Sequence, residues 1–211
     1  MARYTLEVVQ HPIHARMCGF GEKDKRSLDP PPIVKLNILN EDGTHSDEFT
    51  STQFYVVHAD LWSENQQINC TTVVDPSTLP SFSSQTPRTS VLALSDPNYV
   101  RNLVGTTTSS SHILQDTEGH KGVYFVFPEL STSPSRLFHP YNGILAALTP
   151  FPIHRAMSSG HENCVDQVFS RPFKVFSART FPGMRETTEL SMKFFKQGVR
   201  IPTRKTRNQE S

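Results

Sequence analysis

No stretch of this sequence approaches the roughly 20 consecutive apolar residues that a membrane-spanning helix requires, so a helical span is excluded. Cysteine is scarce. Cys18, Cys70 and Cys164 lie far apart, are odd in number and form no C-x-x-C pair, which rules out a disulfide framework and favours a reducing compartment. The catalytic signatures G-x-S-x-G, the P-loop and H-E-x-x-H are absent. Gly19-Phe-Gly21 lacks the third glycine and following helix of a dinucleotide fingerprint. No charged-then-apolar leader opens the chain, so export is not expected, and Asn69-Cys70-Thr71 is a chance match to a glycosylation acceptor. What is present is 211 residues with 36% hydrophobic content and a mean hydropathy of −0.42, enough to close one substantial core. Sixteen prolines and ten glycines argue against a helical bundle and for short segments joined by turns.

The net charge of +1 conceals a segregation. Residues 40–75 hold seven acidic side chains and no Lys or Arg, whereas residues 185–211 carry a local +4 and residues 1–39 a local +2. Ligands respond to the field within about a Debye length, roughly 8–10 Å, so local sign matters more than the total. An anionic partner for the basic parts is one reading; ordinary solvated charge with a frayed basic tail is the other.

Alternation marks the strands. Tyr4, Leu6 and Val8 share a face over residues 4–10; Val34, Leu36 and Ile38 do so over 33–39; Tyr55, Val57, Ala59 and Leu61 over 54–61, with Trp62 as the stop. Between the first two runs Cys18 to Arg26 is glycine-punctuated and charged and reads as an exposed loop, followed by Pro30-Pro31-Pro32, whose fixed φ angles hold the chain extended. Residues 76–90 read as a Pro/Ser/Thr loop, 91–94 as a short strand, 106–111 (TTTSSS) as a polar, mobile stretch, and 123–127 and 173–176 as strands. One short helix is expected from about residue 188 to 197, because Leu190 and Phe194 share a face and Gly198 is a natural stop. This pattern predicts an all-β sandwich with one C-terminal helix, followed by a basic, disordered tail over 203–211.

Among candidate sites, His154, His161 and Cys164 (H-x6-H-x2-C) and the pair His11 and His14 match no zinc spacing, so no metal or cofactor is expected. Cys18 lies beside Lys23, Lys25 and Arg26, which would lower a thiol pKa, but no base or orienting group accompanies it and no enzyme is expected. The loop itself is more informative. Arg16, Lys23, Lys25 and Arg26 supply four cations against Glu22 and Asp24 among them and Asp29 further along, two glycines let the backbone approach a surface, and the triple proline limits the entropy lost on docking. Long cationic side chains on a loop presented by a sheet suit phosphate oxygens.

Several separated segments resemble the velvet domain of fungal regulators. They are Tyr4-Thr-Leu-Glu-Val-Val-Gln10, the run from Ala15 through Met17-Cys-Gly-Phe-Gly21 to Arg26, and Leu28-Asp-Pro-Pro-Pro-Ile-Val-Lys-Leu36. Phe54-Tyr-Val-Val-His-Ala-Asp-Leu-Trp62, Leu103-Val-Gly105 and Gly122-Val-Tyr-Phe-Val-Phe-Pro-Glu-Leu130 follow in family order. Arg171-Pro-Phe-Lys-Val-Phe-Ser-Ala178, Phe181-Pro-Gly-Met184 and Gln197-Gly-Val-Arg-Ile201 complete the likeness, whose wording leans toward the velvet B or velvet C branch. The resemblance implies a single domain over residues 1–202, with a Rel-like, immunoglobulin-type β-sandwich. It further implies binding to double-stranded DNA, homo- or heterodimers with other velvet proteins, and sometimes a methyltransferase-like partner. Nuclear action with a cytoplasmic pool, in sporulation, development and secondary metabolism, is implied as well. The family's DNA-contacting loop maps onto Lys23, Lys25 and Arg26, with Arg16 nearby.

Residues 131–163 depart from the family pattern, as retained intron sequence or a lineage-specific replacement would. Loss of a central strand would bare an edge and weaken both stability and dimerisation. Ile144-Leu-Ala-Ala-Leu148 offers a substitute strand, with Pro140-Tyr-Asn-Gly143 as the turn before it. In the tail, Arg200, Arg204, Lys205 and Arg207 would assist nuclear import or grip phosphates, or belong to an idle end.

Overall fold

The structure, a computed structural model, describes residues 3–18, 25–46, 49, 52–74, 98–133 and 166–204, together with the backbone of 141–150. The strands are β1 (Arg3–Gln10), β2 (His14–Arg16), β3 (Ile33–Leu39), β4 (Tyr55–Ser63), β5 (Thr72–Val74), β6 (Tyr99–Arg101) and β7 (Leu103–Val104). They continue as β8 (Thr108–Ser110), β9 (His112–Gln115), β10 (Lys121–Val126), β11 (Ser131–Thr132), β12 (Tyr141–Pro150), β13 (Asp166–Phe169) and β14 (Lys174–Phe176). The helix α1 (Glu189–Lys196) comes last. The fold is all-β, as the turn-rich composition predicts.

Two four-stranded antiparallel sheets, ordered β1-β3-β10-β9 and β13-β12-β4-β8, share one core. The alternation of the sequence explains which side chains fill it. Leu6, Val34, Leu36 and Ile38 come from the first sheet and Val57, Ala59 and Leu61 from the second, each from the face its period-2 pattern selects. Tyr4 and Val8 pack against the same cluster. Strand β10 is apolar on both faces because both are covered. Val123 and Phe125 point between the sheets, while Tyr124 and Val126 join Ile33 and Leu114 beneath Phe194 of α1 and Val199 and Ile201 beyond it. Burying a side chain such as Phe194 contributes about 1.5–3 kcal/mol, so the helix is held by its packing more than by its eight residues of propensity.

The helix ends where local chemistry places them. Thr188 accepts the Ser191 amide at 3.2 Å as N-cap, and Gly198 adopts φ +97° just past the last turn. A buried polar network then ties α1 to the start of the sandwich. Gln10 Nε2 donates to Ser191 Oγ at 2.8 Å and to the Pro31 carbonyl at 2.7 Å, while Gln10 Oε1 accepts from the Thr188 hydroxyl at 2.6 Å.

Several expectations are corrected. Phe54 does not begin a strand but closes a 3-10 turn (Thr52–Phe54) and is 45% exposed; the Thr52 hydroxyl, donating to the Phe49 carbonyl, folds the chain back there. Trp62 does not stop β4, which runs on to Ser63, because Ser63 pairs with Tyr141 of β12 and its amide donates to the Ile68 carbonyl at 2.9 Å; the Trp62 ring meets Phe169 edge-on at 5.9 Å. The polar stretch 106–111 contains β8, which pairs with β4, and Ser109 Oγ accepts the Val126 amide at 3.0 Å. Its order comes from partners distant in sequence rather than from apolar content. Residues 76–94 lie outside the described residues.

The atypical segment supplies a strand. Strand β12 pairs antiparallel with β4 from Ile144 opposite Leu61 to Pro150 opposite Tyr55, and with β13 along its other side. The substitute strand is therefore in place between β4 and β13. Tyr141 to Gly143 is part of it rather than a turn, with an irregularity in register between Tyr141 and Ile144.

Gly105 explains the Leu-Val-Gly motif. It adopts φ +100°, and a Cβ there would overlap the carbonyl oxygen of Glu129. Gly105→Ala is expected to lower stability by about 2–5 kcal/mol in urea titration, combining left-handed strain with overpacking. Gly43→Ala, at φ +83° with open space around it, should lose only about 1–2 kcal/mol by the same measurement. Gln10→Ala, which orphans the fully buried Ser191 hydroxyl, should lose about 1–3 kcal/mol there as well.

Candidate nucleic-acid interface

The basic loop leaves and re-enters the sandwich through one clamp. On the way out, β2 pairs in parallel with β14, placing Arg16 opposite Phe176; the Met17 amide then donates to the Phe176 carbonyl at 2.9 Å and the Cys18 amide to that of Thr132 at 2.9 Å. On the way back, the Leu28 amide donates to the Leu130 carbonyl at 2.7 Å, and Asp29 exchanges backbone hydrogen bonds with His14 at 3.0 and 3.1 Å. Leu28 is buried below, which fixes the returning limb to the core.

The side chain of Asp29 draws a third segment into the clamp. Its Oδ2 lies 3.0 Å from His14 Nε2 and accepts the backbone amide of Arg185 at 2.5 Å. Asp29 is only 3% exposed, and a carboxylate so buried requires such partners. The His14 ring is held in turn by the edges of Phe181 and Phe176, at centroid distances of 5.2 and 6.1 Å. Strand β2 went unrecognised in the sequence because three residues carry no period and its partner lies about 160 positions away. The signal that could have disclosed it is the pairing of His14 with an aspartate directly before the triple proline.

Three of the four loop cations lie among the described residues. Lys25 and Arg26 are exposed immediately before the clamp, and Arg16 is half-buried on β2. The structure thus brings Arg16 and the Lys25–Arg26 pair to the two limbs of one loop root. Arg16 and Lys25 each engage a further group. Lys23 lies outside the described residues. Cys18 is not an exposed loop thiol: it is 5% exposed and unbonded to any other cysteine, because its amide is drawn into the clamp beside Thr132. Burial removes the accessibility that a nucleophilic thiol needs.

The histidines are otherwise employed. His14 serves Asp29, and His11 Nδ1 accepts the Arg171 amide at 3.0 Å. Burial first, and then the charge of Arg171, lower the His11 pKa and favour its neutral form. Among the described residues no group of three ligating side chains gathers; His154, His161 and Cys164 lie outside them. In the acidic block, Asp42 and Asp60 have local structural uses. Asp42 accepts the Thr44 hydroxyl at 2.6 Å and its amide at 2.9 Å, which hold its carboxyl below the usual range. Asp60 is lowered by His58 and bonded by Thr71. At the C-terminal end, the expected disorder does not begin at 203. The Arg204 amide donates to Thr187 Oγ1 at 2.6 Å and the Thr187 amide returns a bond to the Arg204 carbonyl at 3.2 Å, while Lys205 and Arg207 lie outside the described residues.

Removing the clamp carboxylate should loosen the loop root before the core. Asp29→Ala strands the His14 ring and the Arg185 amide, with an expected loss of about 1–3 kcal/mol in chemical denaturation. In hydrogen exchange, the amides of Met17, Cys18, Leu28 and Arg185 should lose protection while those of β10 keep it.

Comparison with known proteins places this architecture in a family. A profile described as Velvet factor matches residues 4–208. The sexual development regulator umv3 of Mycosarcoma maydis is 32% identical over 203 residues, covering 95% of this chain and 45% of that protein. A velvet complex subunit from Emericella nidulans is 28% identical, covering 96% of this chain and 78% of its own length. Velvet complex subunit 2 of Gibberella moniliformis is 28% identical, covering 98% and 62%. The chain thus spans less than half of the Mycosarcoma protein but most of the Emericella one. With a family match over nearly its whole length and the motifs of both sheets in order, the chain belongs to the velvet factor family.

Proposed function

We propose that this chain is a sequence-selective, non-enzymatic DNA-binding regulator of fungal sporulation, development and secondary metabolism. It acts as a velvet homo- or heterodimer, in the nucleus with a cytoplasmic pool, through one domain over residues 1–202 and a short basic tail. The observation that carries this reading is the loop root: two exposed cations, Lys25 and Arg26, stand just outside a clamp that fixes both limbs of the loop. A fixed root limits the conformational entropy lost when long cationic side chains dock on a phosphate backbone. Lys23 and Arg16 join them as phosphate ligands, or Arg16 braces the loop. A methyltransferase-like partner belongs to the same proposal.

A second reading has its own support. Relatives from Emericella and Gibberella are named as members of a velvet complex, which favours a protein-interaction component that works through velvet partners without touching DNA. A gel shift of the purified chain, alone and with a velvet partner at two salt concentrations, separates the two. Under the DNA-binding reading the chain itself shifts the duplex. Lys23→Ala, Lys25→Ala and Arg26→Ala together should then flatten the log–log salt dependence by about 2.7 units, at roughly 0.9 per phosphate contact. A folded triple variant with unchanged affinity and slope would refute the loop assignment.

A further inference from the structure

The clamp sets a second group of cations beside the loop. Strand β14 places Phe176 opposite Arg16, and the chain then turns through residues 177–180, where the Thr180 amide donates to the Ser177 carbonyl at 3.2 Å. Arg179 sits in that turn, three residues past Arg16's pairing partner. Arg185 follows, with its backbone amide on the Asp29 carboxylate, and Asp29 is three residues past Arg26. Three residues of extended chain reach at most about 10 Å, so neither arginine departs far from the loop root. Both side chains are exposed. Among the described residues, no hydrogen bond or ion pair engages the guanidinium of Arg26, Arg179 or Arg185.

The charge around them favours an anion. Among the described residues, Arg16, Lys25, Arg26, Arg179 and Arg185 are opposed by the exposed acids Glu129, which accepts the Thr106 hydroxyl, Glu186, which engages a further group, and Glu189 at the start of α1; Glu22 and Asp24 of the loop lie outside the described residues. Asp29 is buried and committed to the clamp. Lys174, at the far end of β14, is a different case, because its ammonium lies over the Phe176 ring at 5.0 Å. Arginines left open at a rigid root, with a planar donor fork, match phosphate geometry. A strand of duplex presents one phosphate per 3.4 Å of axis, so a strip about 10 Å long meets on the order of three.

We propose that Arg179 and Arg185 form a second phosphate-binding strip beside the basic loop, so that double-stranded DNA is gripped by two distant chain segments joined through Asp29. This rests on the DNA-binding reading above and adds contact residues that no motif of the loop contains. The test is the salt dependence of duplex binding by the full chain, with its velvet partner present. Arg179→Ala with Arg185→Ala should flatten the slope by about 1.8 units, as should Lys25→Ala with Arg26→Ala. Arg179→Lys with Arg185→Lys should keep the parental slope. Lys121→Ala, exposed at the far end of β10, should not change it. Arg179→Gln with Arg185→Gln, which retains length and removes charge, repeats the measurement should the alanine pair fold poorly. If the alanine and glutamine pairs keep the parental slope while the loop pair flattens it, the second strip is overturned and the loop assignment stands. If the parental protein fails to bind duplex at either salt concentration, the DNA-binding reading itself falls.

Discussion

A single buried carboxylate organises the exposed end of this protein. Asp29 ends the returning limb of the basic loop, opposes His14 on the outgoing limb, and holds the amide of Arg185 from the last sixth of the chain. Carboxylates are rarely buried without compensation, since desolvation costs several kcal/mol per ion. Here the compensation is a histidine nitrogen and a backbone donor, with aromatic edges closing the site. The consequence is geometric: a loop that would otherwise sample many conformations leaves the sandwich from a fixed root.

The rest of the architecture supports that root. Strand β10 is covered on both sides, by the opposing sheet and by α1, and the chain leaving it runs through buried Phe127 and Leu130 to the carbonyl that receives the Leu28 amide. The Gln10 network joins helix, β1 and the polyproline brace, so the brace is fastened to the sandwich by hydrogen bonds as well as by its own stiffness. Strand β12, drawn from the segment least typical of the family, restores a partner to β4 and a neighbour to β13.

What could be read in advance divides along physical lines. Strands β1, β3 and β4 were legible because one face meets a core, and burial on one side imposes period 2 on the residues themselves. The helix was legible from the Leu190–Phe194 pair and Gly198, both local signals. Strand β8 was not, because Ser109 owes its conformation to β4, about 50 residues away, and β9 was not, because its four residues are too few to show a period although they pair with the adjacent β10. Cys18 looked exposed among charges and glycines, yet tertiary hydrogen bonding buries it. The cations of the loop stood out as a contiguous cluster. Arg179 and Arg185 did not, since about 150 residues separate them from the loop and only the clamp brings them near.

The parallel pairing of β14 with β2 also has a consequence for how the protein is made. Translation delivers the N-terminal strands first, and the loop emerges with them. Its anchoring groups, the Phe176 carbonyl and the Arg185 amide, leave the ribosome about 150 residues after the loop does. A chain that stops before residue 176 therefore carries its cations on an unlatched root, and the latch closes only when those later segments dock.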